Sequence, residues 1–105
     1  MIDWLKQWLG ERSQAPVPVV IYSRPDCPLC DRMKAILART KVAPPFQLHE
    51  VNIEDDPELM GRFEFSIPVL EVAGRIAFKG KLDAESFQRK YKRLLKEDSN
   101  RIPGS

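Results

Sequence analysis

The spacing of apolar positions changes from segment to segment along the chain, and each change predicts an element. Ile2, Leu5, Trp8 and Leu9 recur at helical spacing with Trp4 beside them, and Gly10 follows as a stop. Ser13-Gln14-Ala15-Pro16 reads as a linker, because Pro16 and Pro18 block any continuation of that helix. Val17, Val19, Val20, Ile21 and Tyr22 form a β-branched run with little alternation, which predicts a strand buried on both sides. From Pro28 onward Leu29, Met33, Ile36 and Leu37 fall at i, i+4, i+7 and i+8, the pattern of an amphipathic helix reaching about Thr40. Pro44-Pro45 ends that segment, and residues 46–53 read as a second strand.

The second half continues in the same way. Asp55-Asp56-Pro57-Glu58 reads as a helix start, since acids suit the positive N-terminal end and proline suits the first turn. Leu59, Met60 and Phe63 supply the buried side of that helix. Residues 69–73 and 76–79 are short strands either side of Gly74, a hairpin pattern. Phe87, Tyr91, Leu94 and Leu95 mark a last helix over residues 82–96, with Asp83 as its N-cap. The element order is therefore (helix)-β-α-β-α-β-β-α. Strands joined through a helix run parallel and the hairpin adds antiparallel strands to the same sheet, so the class is α/β with a four-stranded mixed sheet. Residues 1–16 form an N-terminal helix and linker, 17–97 the domain, and 98–105 a flexible tail.

Composition narrows the field. The 105 residues suit one domain, and 43% apolar with 30% charged is ordinary for a globular chain. A formal net charge of +2 is too small to make nucleic acid the main partner. Met1-Ile-Asp-Trp-Leu-Lys-Gln-Trp-Leu is not a signal peptide, having an acid at its third position and no basic start. No stretch approaches a membrane span. The expected location is the cytoplasm, where a permanent disulfide would be unusual.

That expectation bears on the only two cysteines, Cys27 and Cys30, which stand in Arg24-Pro-Asp-Cys-Pro-Leu-Cys-Asp-Arg-Met. Two thiols at this spacing can be half of a metal site, a structural disulfide or a redox couple. A structural zinc site needs four ligands, and the chain adds to this pair one histidine, His49, in a separate strand. A complete zinc site within one chain is therefore not expected, and no metal ligands are assigned, while a cluster shared between two chains stays open. The pair falls between a strand and a helix, with Cys27 at the N-cap and Pro28 at the first helical position. The amides of Leu29 and Cys30 should point back at the Cys27 sulfur and, with the helix dipole, favour its thiolate. Arg24 and Arg32 help, while Asp26 and Asp31 oppose. Cys27 is the expected nucleophile and Cys30 the resolving thiol. C-x-x-C beside a β-α-β pattern is a recognised thioredoxin-like redox signature.

Tyr22-Ser23-Arg24-Pro25-Asp26-Cys27-Pro28-Leu29-Cys30 resembles the active-site segment of glutaredoxins, Y-T-K-P-x-C-P-Y-C. Ser66-Ile67-Pro68-Val69 resembles their T-V-P segment, and Gly80-Lys81-Leu82-Asp83 falls where they carry a glycine pair followed by acids. The resemblance spans residues 17–95 and points to the glutaredoxin-like branch with a short loop after the first helix. It implies a thioredoxin/glutaredoxin-like fold, thiol–disulfide exchange, a cis Pro68 beside the thiols, and glutathione as co-substrate with no bound cofactor. It also implies roles for Arg24 toward a glycyl carboxylate, for the Ile67 backbone toward a substrate chain, and for Asp83 toward a γ-glutamyl ammonium. Leu29 stands where the motif has an aromatic, Lys81 replaces the second glycine, and Ala84 stands where a second acid is common. The bulk and charge of Lys81 work against a γ-glutamyl group there.

The expected function is a thiol–disulfide oxidoreductase, a monomer that reduces protein disulfides or protein–glutathione mixed disulfides. The competing readings are an iron–sulfur cluster carrier and a redox-inert interaction module of the same fold. The N-terminal helix is read as docking its apolar stripe onto the domain. The basic residues Lys79, Lys81, Arg89, Lys90, Lys92, Arg93 and Lys96 read as a solvated helix face, and Glu54 to Glu58 as a helix start rather than a calcium loop.

Overall fold

The computed structural model describes residues 16–101; the helix expected over the first ten residues, with Trp4 and Trp8, lies outside them, as do residues 102–105. Strand β1 (Val17–Ser23) leads into helix α1 (Pro28–Arg39), strand β2 (Phe46–Asn52), a short 3-10 turn (Ile53–Asp55) and helix α2 (Pro57–Phe63). The hairpin β3 (Val69–Val72) and β4 (Arg75–Lys79) follows, and helix α3 (Ala84–Arg101) is the last of the described elements. The sheet has the order β2-β1-β3-β4, with β1 parallel to β2 and antiparallel to β3.

β1 is central but not evenly buried. Val17, Val19, Ile21 and Ser23 are buried, while Val20 and Tyr22 are half-buried and Pro18 is exposed. The reason lies in how the layers divide. Met33 and Leu37 of α1 and Phe87, Tyr91 and Leu94 of α3 pack with Val17, Val19 and Ile21 in one core. The opposite face carries a smaller cluster of Ile53, Phe63 and Val69, joined by Tyr22, so α2 covers only the Tyr22 end of that face. Alternation of burial follows from the pleat, even where the residues themselves are all apolar.

In α1 the inward stripe is Cys30, Met33 and Leu37, at i, i+3 and i+7. The sequence reading began this stripe at Leu29, yet Leu29 is 44% exposed. Neighbouring helical residues point roughly 100° apart, so Leu29 and Cys30 cannot both face the sheet. The small, apolar thiol takes the inward place. Thr40 closes the helix through its N–H to Leu37 and its Oγ1 to Ile36 C=O at 2.7 Å.

Four further boundaries are set by local chemistry. β2 stops at Asn52, whose Oδ1 accepts from Glu54 N–H at 2.9 Å, so Ile53 starts the 3-10 turn instead of ending the strand and is fully buried. Asp56 caps α2 through Glu58 N–H at 2.9 Å, with Pro57 in the first turn. The hairpin turns at Ala73 (φ 50°) and Gly74 (φ 85°), both in the left-handed region that a tight two-residue turn requires. Asp83 caps α3, accepting from Ser86 N–H at 2.9 Å. α3 runs on beyond Lys96 to Arg101, through residues read from sequence as the start of the tail.

Helix α3 anchors the large core. Phe87 and Tyr91 are fully buried, with ring centroids 5.4 Å apart, and Phe46 meets Phe87 edge-on at 5.6 Å. Tyr91 donates its hydroxyl to Pro44 C=O at 2.6 Å, tying α3 to the loop before β2. Burial pushes the Tyr91 phenol up to about 12.

Candidate active site around Cys27 and Cys30

The chain leaves β1 at Ser23 and turns through Asp26 at φ 59°, a conformation that aspartate tolerates better than most side chains. Cys27 is then extended (φ −112°, ψ 101°) and caps α1, with Pro28 in the first turn. Cys30 N–H donates to Cys27 Sγ at 3.1 Å, and Asp31 N–H to Cys27 C=O at 3.0 Å. Of the two amides expected to reach the sulfur, that of Cys30 makes the bond. The cysteines form a disulfide with Cα atoms 5.2 Å apart. Their surroundings differ sharply: Cys27 is partly open to solvent, whereas Cys30 is only 1% exposed. Cys27 is the member of the pair that solvent reaches, and Cys30 is enclosed.

The Ile67–Pro68 peptide is cis, as is Ala43–Pro44. Pro68 is buried, and its C=O accepts from Gly80 N–H at 2.7 Å. Ile67 lines an open cleft with Arg24, Cys27 and Leu29, of about 620 Å³. The Ile67 N–H, expected free for a substrate chain, instead donates to Phe63 C=O at 3.2 Å. The last turn of α2 reaches the loop before β3 and uses that donor itself. Phe65, on the same loop, is 94% exposed, and Leu29, which lines the cleft, is also exposed.

Asp83 does not join this cleft. Leu29 also lines a second, smaller cleft of about 210 Å³ with Arg32, Gly80, Lys81 and Leu82, and Asp83 lies beyond it, in a surface depression with Ile36 and Leu82. The Asp83 carboxyl is lowered from its ordinary value, chiefly by the backbone N–H of Ser86 that it caps. Arg24, Cys27, Leu29 and Ile67 are therefore brought together, Pro68 is buried next to Ile67 in the chain and does not line the cleft, and Asp83 stands apart.

Charge at the mouth of the cleft is set by Glu54, an acid whose sequence context points only to a helix start. Glu54 accepts from Arg24 Nη2 at 3.1 Å and lines the cleft with it. A second group lies at the end of β1. Buried Ser23 donates Oγ–H to Glu50 Oε2 at 3.0 Å, and Lys34 Nζ donates to the same oxygen at 2.8 Å. Lys34 holds the Glu50 carboxyl below its ordinary value, and Glu50 in turn raises Lys34. These partners come from different elements, and no local pattern signals them. His49 is exposed on β2. Among the described residues, no group of three or more His, Cys, Asp or Glu is placed to hold a metal ion, and no helix is long and apolar enough to cross a membrane.

Among the described residues, a four-stranded mixed sheet carrying three helices, with a C-x-x-C pair at the N-terminus of α1, defines a protein of the thioredoxin-like class. The family model described as glutaredoxin-like domain (DUF836) matches residues 18–92, and the chain belongs to that family. A structural-genomics target protein from X. campestris is 29% identical, with a TM-score of 0.61 over 71% of this chain and 96% of that one. Desulfothioredoxin from Desulfovibrio vulgaris Hildenborough, solved in its reduced form, is also 29% identical, with a TM-score of 0.54 over 74% of this chain and 81% of its own. A protein of Nitrosomonas europaea shares the fold at 22% identity, with a TM-score of 0.56 over 71% of this chain and 91% of that one. The search of curated proteins finds no match.

Proposed function

We propose that the protein is a thiol–disulfide oxidoreductase that reduces disulfides of other proteins through Cys27 and Cys30. One observation carries this reading: an accessible sulfur at a helix N-cap, bonded to an amide, stands in front of a buried partner at disulfide distance. In the reduced protein the Cys30 amide and the helix end favour Cys27 as thiolate. The Cys27 thiolate attacks one sulfur of a substrate disulfide, forming a Cys27–substrate bond as the substrate's own S–S bond breaks and a thiolate leaves. Cys30, losing its proton, attacks Cys27 Sγ, forms the Cys27–Cys30 disulfide and releases the second substrate thiolate. Two electrons have passed from the dithiol to the substrate.

Glutathione enters this reading as the co-substrate that returns the pair to the dithiol, one glutathione forming a mixed disulfide at Cys27 and a second releasing it. The setting that suits such a cycle is the reducing cytoplasm. The test is reduction of an insulin-type disulfide substrate, with trapping by intact mass. Cys27→Ser should abolish turnover, and Cys30→Ser should accumulate a mixed disulfide on Cys27. Turnover that survives Cys27→Ser would overturn the proposal.

A further inference from the structure

We propose that Glu54 is a specificity-determining residue: by engaging Arg24 it withholds that guanidinium from the carboxylates of small anionic thiols and their disulfides. The inference rests on the redox reading of Cys27 above and says which substrates that sulfur selects. Arg24 is the one cation lining the Cys27 cleft among the described residues, whereas Asp26 and Glu54 both line it as carboxylates. One positive and two negative side chains leave the rim net negative. A guanidinium beside a reactive sulfur is otherwise a ready receptor for a carboxylate.

The competition is intramolecular. Glu54 Oε2 stands 3.1 Å from Arg24 Nη2, with the two side chains 42% and 39% exposed. Glu54 sits on the 3-10 turn Ile53–Asp55, held by its own N–H to Asn52 Oδ1 at 2.9 Å and by fully buried Ile53. An incoming carboxylate therefore competes with one already tethered beside Arg24, an advantage of the kind described by effective concentration. What remains for recognition is the apolar lining, Leu29 and Ile67. The cleft favours neutral, apolar flanks of a disulfide over anionic ones, so glutathione, the co-substrate proposed above, reaches Cys27 more slowly than a neutral thiol of the same size.

The test uses the reduced Cys30→Ser protein and follows adduct formation on Cys27 by intact mass at one pH and low ionic strength. Three probes are compared: oxidised glutathione, which is anionic, bis(2-hydroxyethyl) disulfide, which is neutral, and cystamine, which is cationic. In each case the Cys27 thiolate forms a new S–S bond and expels one thiolate half of the probe. Ratios to the neutral probe cancel any change in Cys27 reactivity itself. Glu54→Gln should raise the glutathione-to-neutral ratio by about 2–5-fold, the scale of an exposed ion pair, and lower the cystamine-to-neutral ratio. Added Arg24→Gln should remove the gain, and high salt should shrink it. A ratio unmoved by Glu54→Gln, or a gain that persists without Arg24, overturns this inference alone. A Cys27 that reacts with none of the probes overturns the redox reading and this inference with it.

Discussion

Replacing Cys30 with serine leaves in place the amide that donates to Cys27 Sγ at 3.1 Å, and so isolates what the helix start does to that sulfur. A hydrogen bond to a charged group contributes about 1.5–3 kcal/mol, and a helix end adds about 0.3–1 kcal/mol for an anion in the first turn. Asp26 opposes this, but it is exposed and its field is screened by solvent and salt. Taking about 1.4 kcal/mol as the surviving part shifts the thiolate-to-thiol ratio tenfold, and about 2.8 kcal/mol shifts it a hundredfold. A lower-pKa thiolate is also a weaker nucleophile, so reduced Cys30→Ser protein should react with iodoacetamide at pH ~6 about 3–10 times faster than a peptide of residues 24–33 carrying the same substitution. The midpoint of its rate–pH profile should fall below the ordinary thiol value of about 8.5. Iodoacetamide is neutral, so the profile reports ionisation and not steering by Arg24 or Glu54. The converse variant, Cys27→Ser, should leave Cys30 slow to alkylate because it is 1% exposed. A Cys27 profile that overlays that of the peptide would refute the reasoning.

Other consequences concern stability. Phe87→Ala empties the space between Phe46, Phe78 and Tyr91 and should cost about 3–5 kcal/mol, read as a lower urea midpoint or loss of folding. Tyr91→Phe removes the 2.6 Å bond to Pro44 C=O and should cost about 1–2 kcal/mol at neutral pH. The Tyr91 phenol is raised from 10.0 to about 12 in the folded protein, so its contribution is complete below pH 10.0 and is lost as pH rises through about 12. Tyr91→Phe should accordingly flatten stability against pH over that alkaline window. Glu50 is lowered from 4.5, so its contribution is present above that value and is lost as pH falls through the lowered one. Lys34→Met should weaken this acid dependence by some tenths of a kcal/mol, because both side chains are partly exposed.

The elements were legible wherever their signals were local. Pro28 behind Cys27, Pro57 behind Asp56 and the acid at 83 each announce a helix start, because caps are satisfied within three residues. The stripe Phe87, Tyr91 and Leu94 announced α3 for the same reason, its period being a property of one helix. Ambiguity entered where two phases fit one segment. Leu29 and Cys30 both begin an acceptable apolar stripe in α1, and only packing against β1 selects the second. The even burial expected of β1 failed because α2 is short and covers one end of its face.

Residues 24–30 by themselves determined the chemistry on offer: two thiols one helical turn apart, the first at a cap where a backbone amide can meet its sulfur. That geometry is short-range, so the order of a few residues suffices to specify it. Only the tertiary structure decided which groups would surround those thiols. Arg24 meets a carboxylate 30 positions away, and Ser23 meets one 27 positions away. The Ile67 amide is taken by the end of the preceding helix. Such contacts depend on how the turn after β2 and the end of α2 are brought against the start of α1, and folding alone sets those distances.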